Sequence, residues 1–276
     1  MKKLLGVIGG SGFDDFMALS EREEFSVETP FGVSKDVSCG LIDSHHVVFI
    51  PRHGKQHAIA PHEINYRANM WALKKLGVSH VLAINAVGGI HEDLGPGCLA
   101  IPDQIIDYSY GREHTYYSGH GANNEKNDDV LSEFLASSLD HIDFTFPYEG
   151  DWREFVLSQC KNHVEEHKKS LSASLGLLEQ GVYGCTQGPR LETAAEVMRL
   201  KRDGCDMIGM TGMPEAALAK ELSLPYACIA ISVNWAAGLS DEQITYELIK
   251  SHLASRVEFV KSIIEDLSAN LMNYSD

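Results

Sequence analysis

The clearest pattern in the chain lies near its C-terminal end, where Leu253, Val257, Val260, Ile264, Leu267 and Leu271 recur in steps of three and four with charges between them. That spacing collects the apolar side chains on one helical face, so the stretch predicts a long amphipathic helix. Ile64, Ala68, Trp71, Ala72 and Leu76, closed by Gly77, predict another over Pro61–Leu76. Shorter helices are expected over 151–168, 193–203 and 214–222. Between them lie apolar runs at 4–8, 47–51, 78–85, 99–108 and 225–233, which fit buried strands. Strands alternating with amphipathic helices predict an α/β layer fold around one central sheet. Ser109 to Asp129 breaks the pattern: it is polar, contains glycine, and precedes a short helical run over 130–139. Long polar loops in compact domains tend to be functional or mobile, so this segment reads as a lid, a subunit contact or a tolerated surface insertion.

Composition narrows the classes. The chain has 276 residues, 44% hydrophobic and 22% charged, which is ordinary for a globular protein. Its net charge of −16 disfavours nucleic acid and acidic membranes as partners, so any anionic substrate must be held by a local cluster of donors. The apolar run after Lys2 and Lys3 ends at Ile8, too short for a signal peptide, and no stretch suits a membrane span. Six scattered cysteines without a CxxC pair read as reduced thiols. The expectation is a soluble cytoplasmic protein.

Six stretches carry candidate chemistry. Gly9-Gly10-Ser11-Gly12 follows a predicted strand and can form an anion nest, or merely a tight turn. It is not a dinucleotide fingerprint, because position 15 is Asp, and it lacks the Gly-Lys-Ser/Thr of a phosphate loop. Arg52-His53-Gly54-Lys55-Gln56-His57 sits past another strand end, where open α/β sheets bind ligands, and Arg supplies a planar fork suited to phosphate. Asn85-Ala86-Val87-Gly88-Gly89 offers small residues that let backbone approach a ligand. In Thr186–Thr193, Glu192 stands at a helix mouth, as a ligand contact or an ordinary cap. Met210 and Thr211 precede Pro214 at a helix start: Thr211 can donate to an anion, and Met210 offers an apolar surface or plain core. Asn234 emerges from the last predicted strand.

In order and together, IGGSG (8–12), TPFG (29–32), RHGKQH (52–57), NYRANMWALKKLG (65–77), NAVGG (85–89), QGPRLET (187–193), MTGMPEAALAKEL (210–222) and VNWAAG (233–238) resemble the trimeric purine nucleoside phosphorylase and methylthioadenosine phosphorylase family. Within it the chain looks most similar to the S-methyl-5′-thioinosine group. The resemblance implies one α/β domain over 1–276, a central mixed β-sheet flanked by helices, with an insertion-like segment at about 109–139. It implies a phosphate site of Ser11, Arg52, His53, the Ala86 backbone N–H and Thr211. It implies substrate contacts from Met210, Leu191, Glu192, Asn234, Trp235 and Ala236, with His141 reaching a neighbouring subunit's sugar pocket. Asn234, Glu192 and His53 are the catalytic candidates. No metal or organic cofactor is implied; phosphate is a co-substrate, and a homotrimer or hexamer is expected.

The base site separates substrates. In this family Asn at the position of Asn234 goes with 6-oxopurines and Asp with 6-aminopurines. A carboxylate at Glu192 accepts the N1–H of hypoxanthine but faces the bare N1 of adenine lone pair to lone pair, a mismatch of about 1–3 kcal/mol. Where nucleoside enzymes keep a histidine for the 5′-hydroxyl, this chain has Ile244-Thr245-Tyr246-Glu247-Leu248. Ile244 and Tyr246 therefore predict an apolar pocket for a 5′-methylthio group. Leu191 departs from the phenylalanine usual in 6-oxopurine enzymes. Alternatives are an inosine/guanosine phosphorylase, a methylthioadenosine phosphorylase, a water-using nucleosidase, a nucleoside-binding protein and, from another class, an NAD-dependent oxidoreductase.

Overall fold

The computed structural model describes residues 3–10, 13, 19–42, 44–117, 141–148, 150–170 and 175–274, without the side chains of 168–170 and 246. Ser11 and most of the 109–139 segment thus lie outside the described residues, as does the side chain of Tyr246. The described strands are β1 (Leu5–Gly9), β2 (Ser20–Thr29), β3 (Gly32–Ile42), β4 (His45–Pro51), β5 (His80–Gly89), β6 (Leu99–Ala100), β7 (Gln104–Asp107), β8 (Leu177–Leu178), β9 (Val182–Cys185), β10 (Met207–Gly209) and β11 (Tyr226–Trp235). The helices are α1 (Tyr66–Lys75), α2 (Gly150–Ser170), α3 (Ala194–Arg202), α4 (Gly212–Glu221) and α5 (Tyr246–Asn270). One mixed sheet joins all the strands, and helices cover its faces, as the fold class predicted.

The long strand β5 organises the sheet. Its first half pairs in parallel with β1, its last two residues pair antiparallel with β10, and β11 runs parallel along its other edge. The sheet therefore forks at β5, one branch running β10-β9-β7 and the other β11-β6-β8. Side chains alternate along the central strands, as strand geometry requires. Val81, Ala83, Tyr226 and Cys228 face a core closed by Trp71 of α1 and Ala216 and Leu218 of α4. Leu82, Ile84, Ala227, Ile229 and Ile231 face Trp152 and Val156 of α2 and Leu253, Val260, Ile264 and Leu267 of α5. Burial on both faces explains why these strands read as unbroken apolar runs.

Three expectations are corrected. Helix α1 begins at Tyr66, because Asn65 caps it by accepting from the Ala68 amide, and Pro61–Glu63 form a turn. The expected strand 99–108 is two strands. Pro102, which has no N–H for a ladder, lies between them, and the chain passes from the β11 branch to the β9 branch. The β2–β3 hairpin had no counterpart in the predicted elements. It ends in the Thr29–Gly32 turn, held to α1 by Asn65 donating to the Phe31 carbonyl and by Phe31 lying edge-on to Trp71.

Candidate active site

The residues that follow the central strands converge on one cavity of about 410 Å³. Gly10 enters from β1, Arg52 and His53 from β4, Asn85–Gly88 from β5 itself, Met210 and Thr211 from β10, and Val233, Asn234 and Ala236 from β11. Leu191 and Glu192 from the loop after β9, and Ile244 and Ile249 at the start of α5, complete the wall. Of the sequence-predicted residues, Arg52, His53, Ala86, Thr211, Met210, Leu191, Glu192, Asn234, Ala236 and Ile244 therefore share this space. Trp235 does not line it; its ring lies against Gly95. His141 is exposed and outside it in the same chain. Ser11 and the Tyr246 side chain fall outside the described residues.

Local chemistry sets each group. Arg52 is 1% exposed and lies between two claims. Its Nε and Nη2 donate to the two carboxylate oxygens of Glu215, both at 2.7 Å, and its Nη1 donates to the Ile84 carbonyl at 3.2 Å. Burial opposes the positive charge, but Glu215, by charge and by hydrogen bonds, more than offsets it and raises the guanidinium pKa. Gly10 matters here: a Cβ would come within 2.8 Å of the Ile84 carbonyl and 3.0 Å of Arg52 Nη1. Glu215 stands in the first turn of α4, where an acid normally reads as a dipole partner, so its role as the clamp on Arg52 was not apparent from sequence.

His53 contacts the Ile59 carbonyl through Nδ1 at 2.8 Å. A carbonyl only accepts, so Nδ1 carries the hydrogen. Burial pulls the imidazole pKa down to about 3, with His57 and Arg52 adding to the effect against the Ile59 bond. The ring is neutral at pH 7 and offers Nε2 as an acceptor. Between pH 6.5 and 3 the unfolded chain binds a proton on His53 that the folded chain refuses, so stability falls as pH drops through that window. The loss attributable to this group reaches at most about 5 kcal/mol. We expect the acid-side decline in Tm to shrink in His53→Gln; an identical decline in both proteins would refute the assignment.

Asn234 owes its aim to an irregularity. The β11–β5 register slips between Ser232 and Asn234, leaving Val233 as the extra residue of a bulge. His252 of α5 holds that bulge, its Nδ1 lying 2.6 Å from the Val233 carbonyl. Asn234 Nδ2 donates to the Trp235 carbonyl at 2.7 Å, leaving its second N–H for another acceptor. Gly88 leaves it room, since a Cβ there would lie 3.3 Å from Nδ2. The capping alternative for Glu192 is answered directly: the N-cap of α3 is Thr193, which forms a capping box with Glu196. Glu192 instead faces the cavity and accepts from Thr186 Oγ1 at 2.5 Å. Thr211 precedes α4 without any side-chain capping bond. The Asn85 amide is 1% exposed, lines the cavity, and has no hydrogen-bond partner on either atom among the described residues. Such a group is costly unless a ligand engages it. Its residue type in NAVGG was the available signal. Among the described residues no group of three or more His, Cys, Asp or Glu is placed to hold a metal, and no helix is long and apolar enough to cross a membrane.

Known proteins share this arrangement of sequence and fold. The chain is 42% identical to a probable S-methyl-5′-thioinosine phosphorylase of Xanthomonas campestris pv. campestris, over 97% of this chain and 96% of that one. It is 39% identical to the 6-oxopurine nucleoside phosphorylase of Pyrococcus furiosus, over 94% and 90%. The methylthioadenosine phosphorylase of Schistosoma mansoni, solved with adenine, superposes with a TM-score of 0.82 at 32% identity, covering 100% of this chain and 93% of that one. The family model of the phosphorylase superfamily matches residues 4–269. The chain belongs to the phosphorylase superfamily and is a pentosyltransferase of the purine nucleoside phosphorylase type.

Proposed function

We propose that the protein cleaves S-methyl-5′-thioinosine with phosphate, giving hypoxanthine and S-methyl-5-thioribose 1-phosphate. The observation that carries this reading is one cavity holding both Glu192, set as an acceptor by Thr186, and an apolar wall of Val233, Ala236, Ala237, Ile244 and Ile249. The first suits a purine with N1–H; the second suits a methylthio group better than a hydroxyl, which would be buried unpaired.

In this mechanism hydrogen phosphate lies between the Arg52 guanidinium, the Ala86 amide, Thr211 and, by family resemblance, Ser11. His53 Nε2 accepts the P–O–H hydrogen, while its low pKa keeps that proton on the phosphate in the ground state. The C1′–N9 bond breaks with its electrons going to the purine, and a phosphate oxygen bonds to C1′ of the oxocarbenium-like sugar. The phosphate's hydrogen balances the one gained by the departing base. Asn234 donating to N7 and Glu192 accepting from N1–H strengthen their bonds as charge develops, which is how binding accelerates chemistry. Met210 packs beneath the ribose. No metal or organic cofactor takes part. The working assembly is a trimer or a dimer of trimers in the cytoplasm, with His141 completing the sugar site of a neighbouring copy.

A second reading, phosphorolysis of inosine and guanosine, is favoured by the similarity to the Pyrococcus furiosus enzyme. Competition separates the two. We expect kcat/KM for S-methyl-5′-thioinosine to exceed that for inosine, and that for S-methyl-5′-thioadenosine, by about 10- to 100-fold each. Equal rates on inosine would overturn the 5′ pocket, and comparable adenine release would overturn the base site.

A further inference from the structure

We propose that Arg112 is a positioning residue for phosphorolysis, holding the base-side and phosphate-side loops of the cavity at a fixed separation. It comes from the segment after β7, does not itself line the cavity, and is 8% exposed. Its guanidinium nonetheless reaches both loops. Nη2 donates to the Thr186 carbonyl at 3.2 Å and the Gln187 carbonyl at 2.9 Å, and Nε to Gln187 Oε1 at 3.2 Å. Nη1 donates to the Met210 carbonyl at 2.8 Å and the Met213 carbonyl at 2.6 Å, and lies 3.3 Å from Tyr66 Oη. Tyr66 in turn donates to the Pro61 carbonyl at 2.8 Å, tying in the Ala58–Pro61 wall.

The first loop carries Glu192 and the Thr186 hydroxyl that orients it; the second carries Met210 and Thr211. Between them the rigid plane of one guanidinium acts as a spacer, with both ends hydrogen-bonded. A lysine ammonium in the same place is a point donor and cannot grip two loops at once. Its loss lets the base acceptor drift relative to the phosphate donors, and misplacement on the scale of 1 Å costs on the order of 100-fold in rate. The Gly188 turn adds to the demand for spacing. Gly188 has φ +61°, and a Cβ there would meet Met210 Sδ at 2.5 Å, so the two loops are in contact where Arg112 fastens them.

The proposal rests on the reading that phosphorolysis occurs in this cavity. If that reading is wrong, Glu192→Ala and Thr211→Ala leave turnover untouched as well; if only the present inference is wrong, those two variants are impaired and Arg112→Lys is not. The test needs a control for buried arginine, which Arg153 supplies. It is 7% exposed and donates to the carbonyls of Ile101, Pro102 and Glu179, away from the cavity. Arg112→Lys and Arg153→Lys are compared by Tm and by kcat and KM for phosphate and nucleoside, per folded protein. The expected result is a drop in kcat/KM of about 100-fold for Arg112→Lys, with the KM values for both substrates raised. For Arg153→Lys the expected result is a similar Tm loss with kcat/KM within about twofold. Equal, small effects on kcat/KM in the two variants would overturn the proposal. Should Arg112→Lys not fold, Gln187→Met removes the side-chain acceptor that Arg112 Nε shares with the Tyr110 amide and is expected to lower kcat/KM by about tenfold; unchanged kinetics there would overturn it.

Discussion

Glu215→Ala is expected to destabilise the protein by about 3–5 kcal/mol and to abolish tight phosphate use at the same time. Glu215 is 1% exposed and accepts three hydrogen bonds: two from Arg52 and one from Tyr226 Oη at 2.8 Å. Removing it strands a buried guanidinium that, among the described residues, keeps only the Ile84 carbonyl, and an unpaired buried charge costs far more than the pair contributes when intact. The guanidinium also loses the two-point grip that aims Nη1, so KM for phosphate rises together with the fall in stability. Stability and function separate in a double variant. Arg52→Met with Glu215→Leu replaces the pair by apolar groups of similar volume and should recover much of the lost stability, since such replacements are often neutral. Phosphorolysis should stay lost, because the anion then has no guanidinium. The urea midpoint and phosphate saturation curves check both parts; a single variant costing under about 1 kcal/mol would show that Arg52 is held by something else.

The site was more legible in the sequence than the sheet that carries it. Glycine, arginine and asparagine at strand ends stand out because ligands of α/β sheets gather there and because such residues do nothing for a strand interior. Arg52, His53, Ala86, Thr211, Glu192 and Asn234 indeed meet in one cavity. What binds them to the scaffold was hidden. Glu215 imitates a helix-dipole acid, and Arg112 looks like one more charge in a polar loop, because a partner over 70 residues away leaves no local trace. His252 is similar, reaching back to Val233 from a helix face that periodicity alone would leave to solvent. The missed hairpin has a physical reason too. Strand β2 is an edge strand with Glu21, Glu23 and Glu24 exposed, and edge strands carry such charges to avoid pairing with other chains. Its composition therefore argues against a strand even though Phe25 and Val27 alternate inward. The fork at β5 depends on three partners along one strand, and pairing of that kind is set by the tertiary structure, not by any local run.

Withdrawing phosphate should have the largest effect of all, removing turnover outright. In the proposed mechanism the buried Arg52 guanidinium and the Ala86 amide donate to, and His53 accepts from, an anion that carries one hydrogen. A nucleosidase would need a base to activate water. His53 serves poorly for that, because burial takes its pKa down to about 3. The most direct measurement is the identity of the sugar product, followed by phosphorus NMR with S-methyl-5′-thioinosine in the presence and absence of phosphate. Stoichiometric appearance of a sugar 1-phosphate with hypoxanthine, and no hypoxanthine without phosphate, is the predicted result. Free methylthioribose forming at the same rate whether or not phosphate is present would contradict it.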